Sequence, residues 1–211
     1  MTNISTLFIS TLLLIALSSC GQTPKSFDNG AYVVDQSIKD KVDKKVKSFN
    51  GVTIGSMDFK LFANDSIVTD TYANGKSVDE CMTMTSLDGD TINITGFWGM
   101  FAGFGYQIAL FKDTCIVRHF MKSDAEIYKL NRTDSLTFGV SVPCMTYKLT
   151  LLNKPTFKKG DILEGIVELV SAEYYGVTNG NEQKYKMQLT GYFRTEPLAS
   201  VEENYQKLKE K

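Results

Sequence analysis

A single histidine in 211 residues narrows the chemistry open to this chain more than any motif it contains. Two-histidine zinc motifs need two imidazoles at fixed spacing, so one chain cannot supply them. His119 is also the only imidazole available as a general base. No Gly-x-Ser-x-Gly elbow and no Gly-x-x-x-x-Gly-Lys phosphate loop occurs, which removes the usual hydrolase and nucleotide-binding signatures. None of the four cysteines stands in a Cys-x-x-Cys pair, so neither a dithiol redox motif nor a zinc knuckle is present. Basic blocks are missing as well. With a net charge of −1, nothing attracts nucleic acid by electrostatics alone. Together these absences point away from an enzyme.

Long apolar runs are also lacking. The longest, Leu7 to Leu17, is roughly half of the ~20 residues that span a bilayer as a helix. It is followed by small residues, and the first nineteen positions carry no charged side chain. A short apolar core before small residues is the pattern of a removable secretory signal. The positive n-region of such signals is represented only by the amino terminus. At the end of the run stands Leu17-Ser18-Ser19-Cys20. This tetrapeptide resembles the lipobox of bacterial lipoproteins, with one branched apolar and two small residues before the cysteine.

The resemblance implies cleavage before Cys20, attachment of diacylglycerol to its thiol, and acylation (palmitate class) of the new amine. Two or more acyl chains make a stable anchor, since each buried CH₂ contributes ~0.8 kcal/mol. The expected location is therefore the cell envelope, with the membrane itself as a partner. Gly21 in place of Asp after the cysteine implies outer-membrane transfer. Gln22-Thr23-Pro24-Lys25 is not an acidic run, which favours the leaflet facing the periplasm.

What remains after residues 1–19 is enough chain for one domain with a real core. Residues 20–50 read as a lipidated tether that includes a short amphipathic helix. Val34, Ile38, Val42 and Val46 recur every fourth residue among Lys and Asp, which aligns them on one helical face over about residues 33–48. Residues 51–195 form the β domain and 196–211 a polar tail. From Gly51 the chain alternates runs of Thr, Ile, Val, Tyr and Phe with turn dipeptides at roughly ten-residue intervals, which predicts an all-β fold. The expected architecture is an antiparallel sandwich or barrel of about ten strands.

Two hairpins can be set in register. Asn179-Gly180 as a two-residue type I′ turn pairs Thr178 with Asn181 and Tyr174 with Tyr185. Continuing without interruption pairs Ala172 with Met187, Val170 with Leu189 and Ile166 with Phe193. This puts Glu168 on the apolar face opposite Gly191. A β-bulge would turn that carboxylate outward; the alternative is an inward carboxylate meeting a ligand. In the second hairpin, a turn at Asp88-Gly89 aligns Thr85 with Ile92 and Thr83 with Ile94. Asp88 and Asp90 are read as turn residues, because the remaining oxygen ligands of a calcium loop are missing.

Cys81, Cys115 and Cys144 permit one disulfide in three pairings, or serve as buried thiols acting as small hydrophobes. Cys81-Met82-Thr83-Met84, His119 with Met121, and Cys144-Met145 bring together soft ligands that suit Cu(I). On a strand Met82 and Met84 face away from Cys81, so neither metal nor other cofactor is assigned. No catalytic residue is assigned either; a strand histidine is most often satisfied by a neighbour.

The most distinctive mature segment is Gly96-Phe-Trp-Gly-Met-Phe-Ala-Gly-Phe-Gly105, which holds the only tryptophan and no charge. Its glycines break both strand and helix periods. Folded inward it is a kinked core strand; exposed, it is an apolar contact surface. Phe97, Trp98, Met100, Phe101 and Phe104 are accordingly the candidate binding residues. The expected function is a non-catalytic envelope module binding an apolar or amphiphilic ligand. The alternative is a protein-interaction lipoprotein, such as an assembly subunit or a toxin-neutralising protein.

Overall fold

A computed structural model describes residues 30–49, 52–99 and 102–195. The leader with Cys20, the pair Met100 and Phe101, and the tail from position 196 lie outside the described residues. The described residues are mostly antiparallel β, as the alternation predicts. Thirteen strands belong to one sheet. They are β1 (Val33–Val34), β2 (Lys47–Phe49), β3 (Val52–Ala63), β4 (Ser66–Asp70), β5 (Val78–Asp88), β6 (Thr91–Trp98) and β7 (Gly103–Leu110). After these come β8 (Cys115–Lys122), β9 (Ile127–Lys129), β10 (Gly139–Leu151), β11 (Leu163–Ser171), β12 (Tyr174–Thr178) and β13 (Asn181–Thr195).

Strands β3, β5, β6, β7, β8, β10, β11 and β13 follow one another around the sheet, and β13 pairs back onto β3. The result is a closed barrel rather than a sandwich. Eight strands leave an interior about wide enough for side chains to fill. Met57, Ile94, Tyr106, Ile108, Leu149, Val167, Met187, Leu189 and Phe193 fill it, all essentially inaccessible to solvent. Tyr106 reaches from β7 toward β13 on the far wall. A Cβ on Gly96 would meet its ring at 2.1 Å, and one on Gly191 at 2.3 Å. Both glycines are spaces that this ring occupies.

The body starts well before Gly51. Gly30 bridges Cys115, β1 lies parallel to the end of β10, and helix α1 (Lys39–Lys45) docks on the outer wall. Its apolar face supplies Ile38, Val42 and Val46, packed against Leu152, Ile166 and Tyr192. The helix is shorter than the predicted 33–48. It is entered through a 3-10 turn, Gln36–Ile38, capped by Asp35, whose side chain accepts from the Ser37 N–H. Val34 joins β1 instead, where pairing with Leu151 satisfies its backbone. Arg194 ties the helix to the barrel by bridging Glu164 and Asp43.

Both hairpin expectations are instructive. The Asn179-Gly180 turn holds from Thr178↔Asn181 back to Tyr174↔Tyr185. Beyond it the pairing becomes Val170↔Gln188 and Glu168↔Thr190, so one extra residue is accommodated between Ser171 and Tyr174. Ser171 Oγ accepts the Met187 N–H at 2.9 Å within this bulge. Glu168 turns outward as a consequence, while Ile166 leaves the expected inner face and meets α1. In the second hairpin the turn is one residue later. Asp88 pairs with Thr91, and Thr85 with Ile94 rather than Ile92. This shift moves the register by two and so preserves which residues face inward.

One gap in the β3 ladder has an unusual filler. Strand β5 pairs with β3 as far as Met57, and β4 begins pairing at Lys60. Phe59, between them, would have an open backbone edge. Thr71, first residue of the one-turn helix α2 (Thr71–Asn74), closes it. Its Oγ1 accepts the Phe59 N–H at 2.7 Å and donates to the Phe59 carbonyl at 3.2 Å.

Candidate functional site

The aromatic–glycine segment is divided by the barrel wall. Gly103–Leu110 continues the ladder, and Trp98 pairs with Phe104, Phe104 with Met121, and Met121 with Val140. These four residues make an apolar row across four strands at the end of the barrel that carries the β6–β7 connection. Phe104 is buried there, its ring 4.7 Å from Phe59 and 5.6 Å from Trp98. Trp98 stays 43% exposed. The described part of the segment is thus neither wholly core nor wholly surface. Phe97 points to the outer wall, opposite Met82, and is half-buried. Met100 and Phe101 fall outside the described residues.

Below this row sits a polar pair that sequence reading did not join. On β8, Cys115, Val117, His119 and Met121 share the inward face, since alternate residues point the same way. His119 is fully buried. Its Nδ1 lies 2.9 Å from the Gly105 carbonyl oxygen. A carbonyl only accepts, so Nδ1 carries the proton and Nε2 is a bare acceptor. Burial pushes the imidazole pKa down to about 4, against the opposing pull of the Gly105 hydrogen bond. The ring is neutral at physiological pH.

Facing it is Tyr174 from β12, ring centroid 5.6 Å away and likewise fully buried. Tyr174 stacks on Tyr185 at 5.7 Å and meets the edge of Tyr128 at 6.3 Å. The flanking phenols are engaged: Tyr128 donates to Glu126 and Tyr185 to Gln183. The Tyr174 hydroxyl and His119 Nε2 have no hydrogen-bond partner among the described residues. An unpaired buried polar group costs about 1–3 kcal/mol, so two in one cluster call for an explanation. Met121 packs against both the barrel core and this cluster, so the apolar row and the polar pair meet at its side chain.

Tyr174 and Tyr128 were missed because β9 and β12 form a flap beside the barrel (Gly176↔Tyr128), and only the topology brings it over β8 and β10. The available signals were the single histidine on an inward face and the tyrosines preceding a firmly set turn.

Among the described residues, no three or more His, Cys, Asp and Glu side chains are grouped so as to hold a metal ion. Cys81 points into the barrel while Met82 and Met84 are exposed outside, as the strand alternation predicts. Cys81, Cys115 and Cys144 are all free and buried. Burial pushes Cys81 and Cys144 up to about 12 and Cys115 up to about 11, so none carries the thiolate needed for nucleophilic work. No protein-family model matches the chain, and no curated protein or solved structure matches it either.

Proposed function

We propose that this chain is a membrane-tethered envelope module that binds an apolar or amphiphilic ligand at the barrel end where Trp98, Phe104, Met121 and Val140 meet. The observation that carries the reading is the combination at that end: an apolar row, and beneath it two buried polar atoms with no partner among the described residues. An apolar site with a few convergent polar groups is the usual form of a small-molecule site. The middle of the barrel is filled by Tyr106 and its neighbours, so the ligand belongs at the end and not along the axis.

Anchoring rests on Leu17-Ser18-Ser19-Cys20, with outer-membrane attachment facing the periplasm as the proposed location. Tethering beside a bilayer suits an amphiphile-binding role, because the ligand is concentrated where the module is held. Native mass spectrometry of protein isolated without harsh detergent should show a co-purifying apolar molecule, released in a Phe104→Ser variant. Labelled fatty acid should enter the wild-type protein and not Cys20→Ser. A ligand-free protein in every preparation, inert to added amphiphiles, would sink the binding reading.

A second reading has its own support. Met82 and Met84 are 46% and 57% exposed on the outer wall, beside Phe97, an arrangement suited to a protein partner.

A further inference from the structure

We propose that His119 and Tyr174 form the polar end of this site and select a ligand carrying an un-ionised hydroxyl on an apolar body. The inference rests on the ligand-binding reading above and specifies its chemistry. Nδ1 of His119 is committed to the Gly105 carbonyl, so Nε2 can only accept. The Tyr174 hydroxyl has a proton to donate and no acceptor among the described residues to receive it. A ligand hydroxyl answers both at once, giving its proton to Nε2 while its oxygen accepts from Tyr174.

Other head groups leave one requirement unmet. A carboxylate has no proton for Nε2, and it would bring a charge beside the Glu126 carboxylate, which already accepts from Tyr128 and Thr178. Its attraction would depend on a protonated imidazole, which complete burial opposes. An ammonium can donate to Nε2 but offers nothing to the Tyr174 proton. An alkyl halide satisfies neither atom. Met121 is the member of the row packed on both the barrel core and the polar cluster, and its unbranched, adaptable side chain is suited to moving aside for an alkyl chain.

The test titrates the full chain with 1-decanol, decanoate, decylamine and 1-chlorodecane, reading the emission of Trp98, the only tryptophan, and heat by calorimetry. The expected result is decanol binding at least about tenfold tighter than the other three. Tyr174→Phe should cut the decanol-to-chlorodecane ratio about fivefold or more while leaving chlorodecane binding intact. His119→Leu should do the same, and Tyr174→Phe, which keeps the ring, carries the test if that variant fails to fold. Met121→Ala should strengthen decanol and chlorodecane alike. Equal binding of all four probes, tighter binding of the ion, or an unchanged ratio in Tyr174→Phe overturns the hydroxyl assignment and leaves the apolar site standing. Failure of every probe to bind overturns both.

Discussion

Replacing Thr71 by Val isolates the contribution of one oxygen to barrel integrity. The two side chains have nearly the same shape, and Val and Thr have nearly equal helix propensity, which matters because Thr71 opens α2. What disappears is Oγ1, which holds both the N–H and the carbonyl of buried Phe59 where β3 passes from β5 to β4. Leaving a buried backbone group unpaired costs about 1–3 kcal/mol. The N–H bond, at 2.7 Å, contributes more than the carbonyl bond at 3.2 Å. A total near 2–4 kcal/mol follows, against a typical domain stability of about 5–15 kcal/mol. Thr71→Ser keeps the oxygen and loses one methyl, about 1 kcal/mol. Urea unfolding followed by tyrosine and tryptophan emission should therefore rank wild type, Ser, then Val. The Val variant should melt roughly 5–12 °C below wild type. Amide exchange at Phe59 should accelerate in Val and not in Ser. Equal stability of Val and wild type would mean that Thr71 merely covers the strand.

Two further outcomes follow from the barrel interior. Gly191→Ala pushes a methyl into the Tyr106 ring, which Gly96 already confines from the other side. The loss should be about 2–3 kcal/mol by chemical unfolding, recovered largely by a second change, Tyr106→Leu. His119 makes stability sensitive to acid. Its folded pKa, about 4, lies below the ordinary 6.5 of the unfolded chain, so the unfolded state binds the proton first. The contribution is fully present above pH 6.5 and is lost as pH falls through 4. The loss runs at up to ~1.4 kcal/mol per pH unit and totals ~3 kcal/mol. Urea midpoints measured at pH 7.5 and pH 4.5 should converge in His119→Leu relative to wild type.

The legible parts of this fold are those governed by near neighbours in sequence. Asn179-Gly180 admits one tight turn, and the register from Thr178 to Tyr174 follows from it. Glu168 on an apolar face was the signal for a bulge, and the bulge is there, although its position between Ser171 and Tyr174 depends on Ser171 bonding to a neighbouring strand. Asp88-Gly89-Asp90 permits two turns, and choosing the earlier one displaced the ladder by two. The four-residue spacing from Ile38 to Val46 marked a docked helix, but Val34 fits the same spacing and pairs as a strand, because a sheet edge outcompetes one more helical turn.

The arrangement of the candidate site is half legible for the same reason. Absence of charge and four glycines marked the Gly96–Gly105 segment, and Phe104 and Trp98 do meet at the barrel end. Nothing local to His119 names Tyr174 as its neighbour, 55 positions away by their numbers. The same holds for Tyr106 between Gly96 and Gly191. Such contacts exist only once the sheet has curled, and no periodicity records them.

The β3–β13 seam also has a temporal meaning. Phe62 finds Lys186 across most of the domain, so the last described strand is the one that seals the first strand of the barrel. A growing chain cannot seal itself while β13 is still inside the ribosome. Everything from β3 to β11 must wait as an open ribbon, with its inner apolar face unshielded and the β3 edge from Ser56 to Ala63 unoccupied. Long-range closure of this kind is slow, and it keeps the chain pliant until synthesis is complete. For the exported module proposed above, late sealing is an asset, and the same delay is when a chaperone would be needed most.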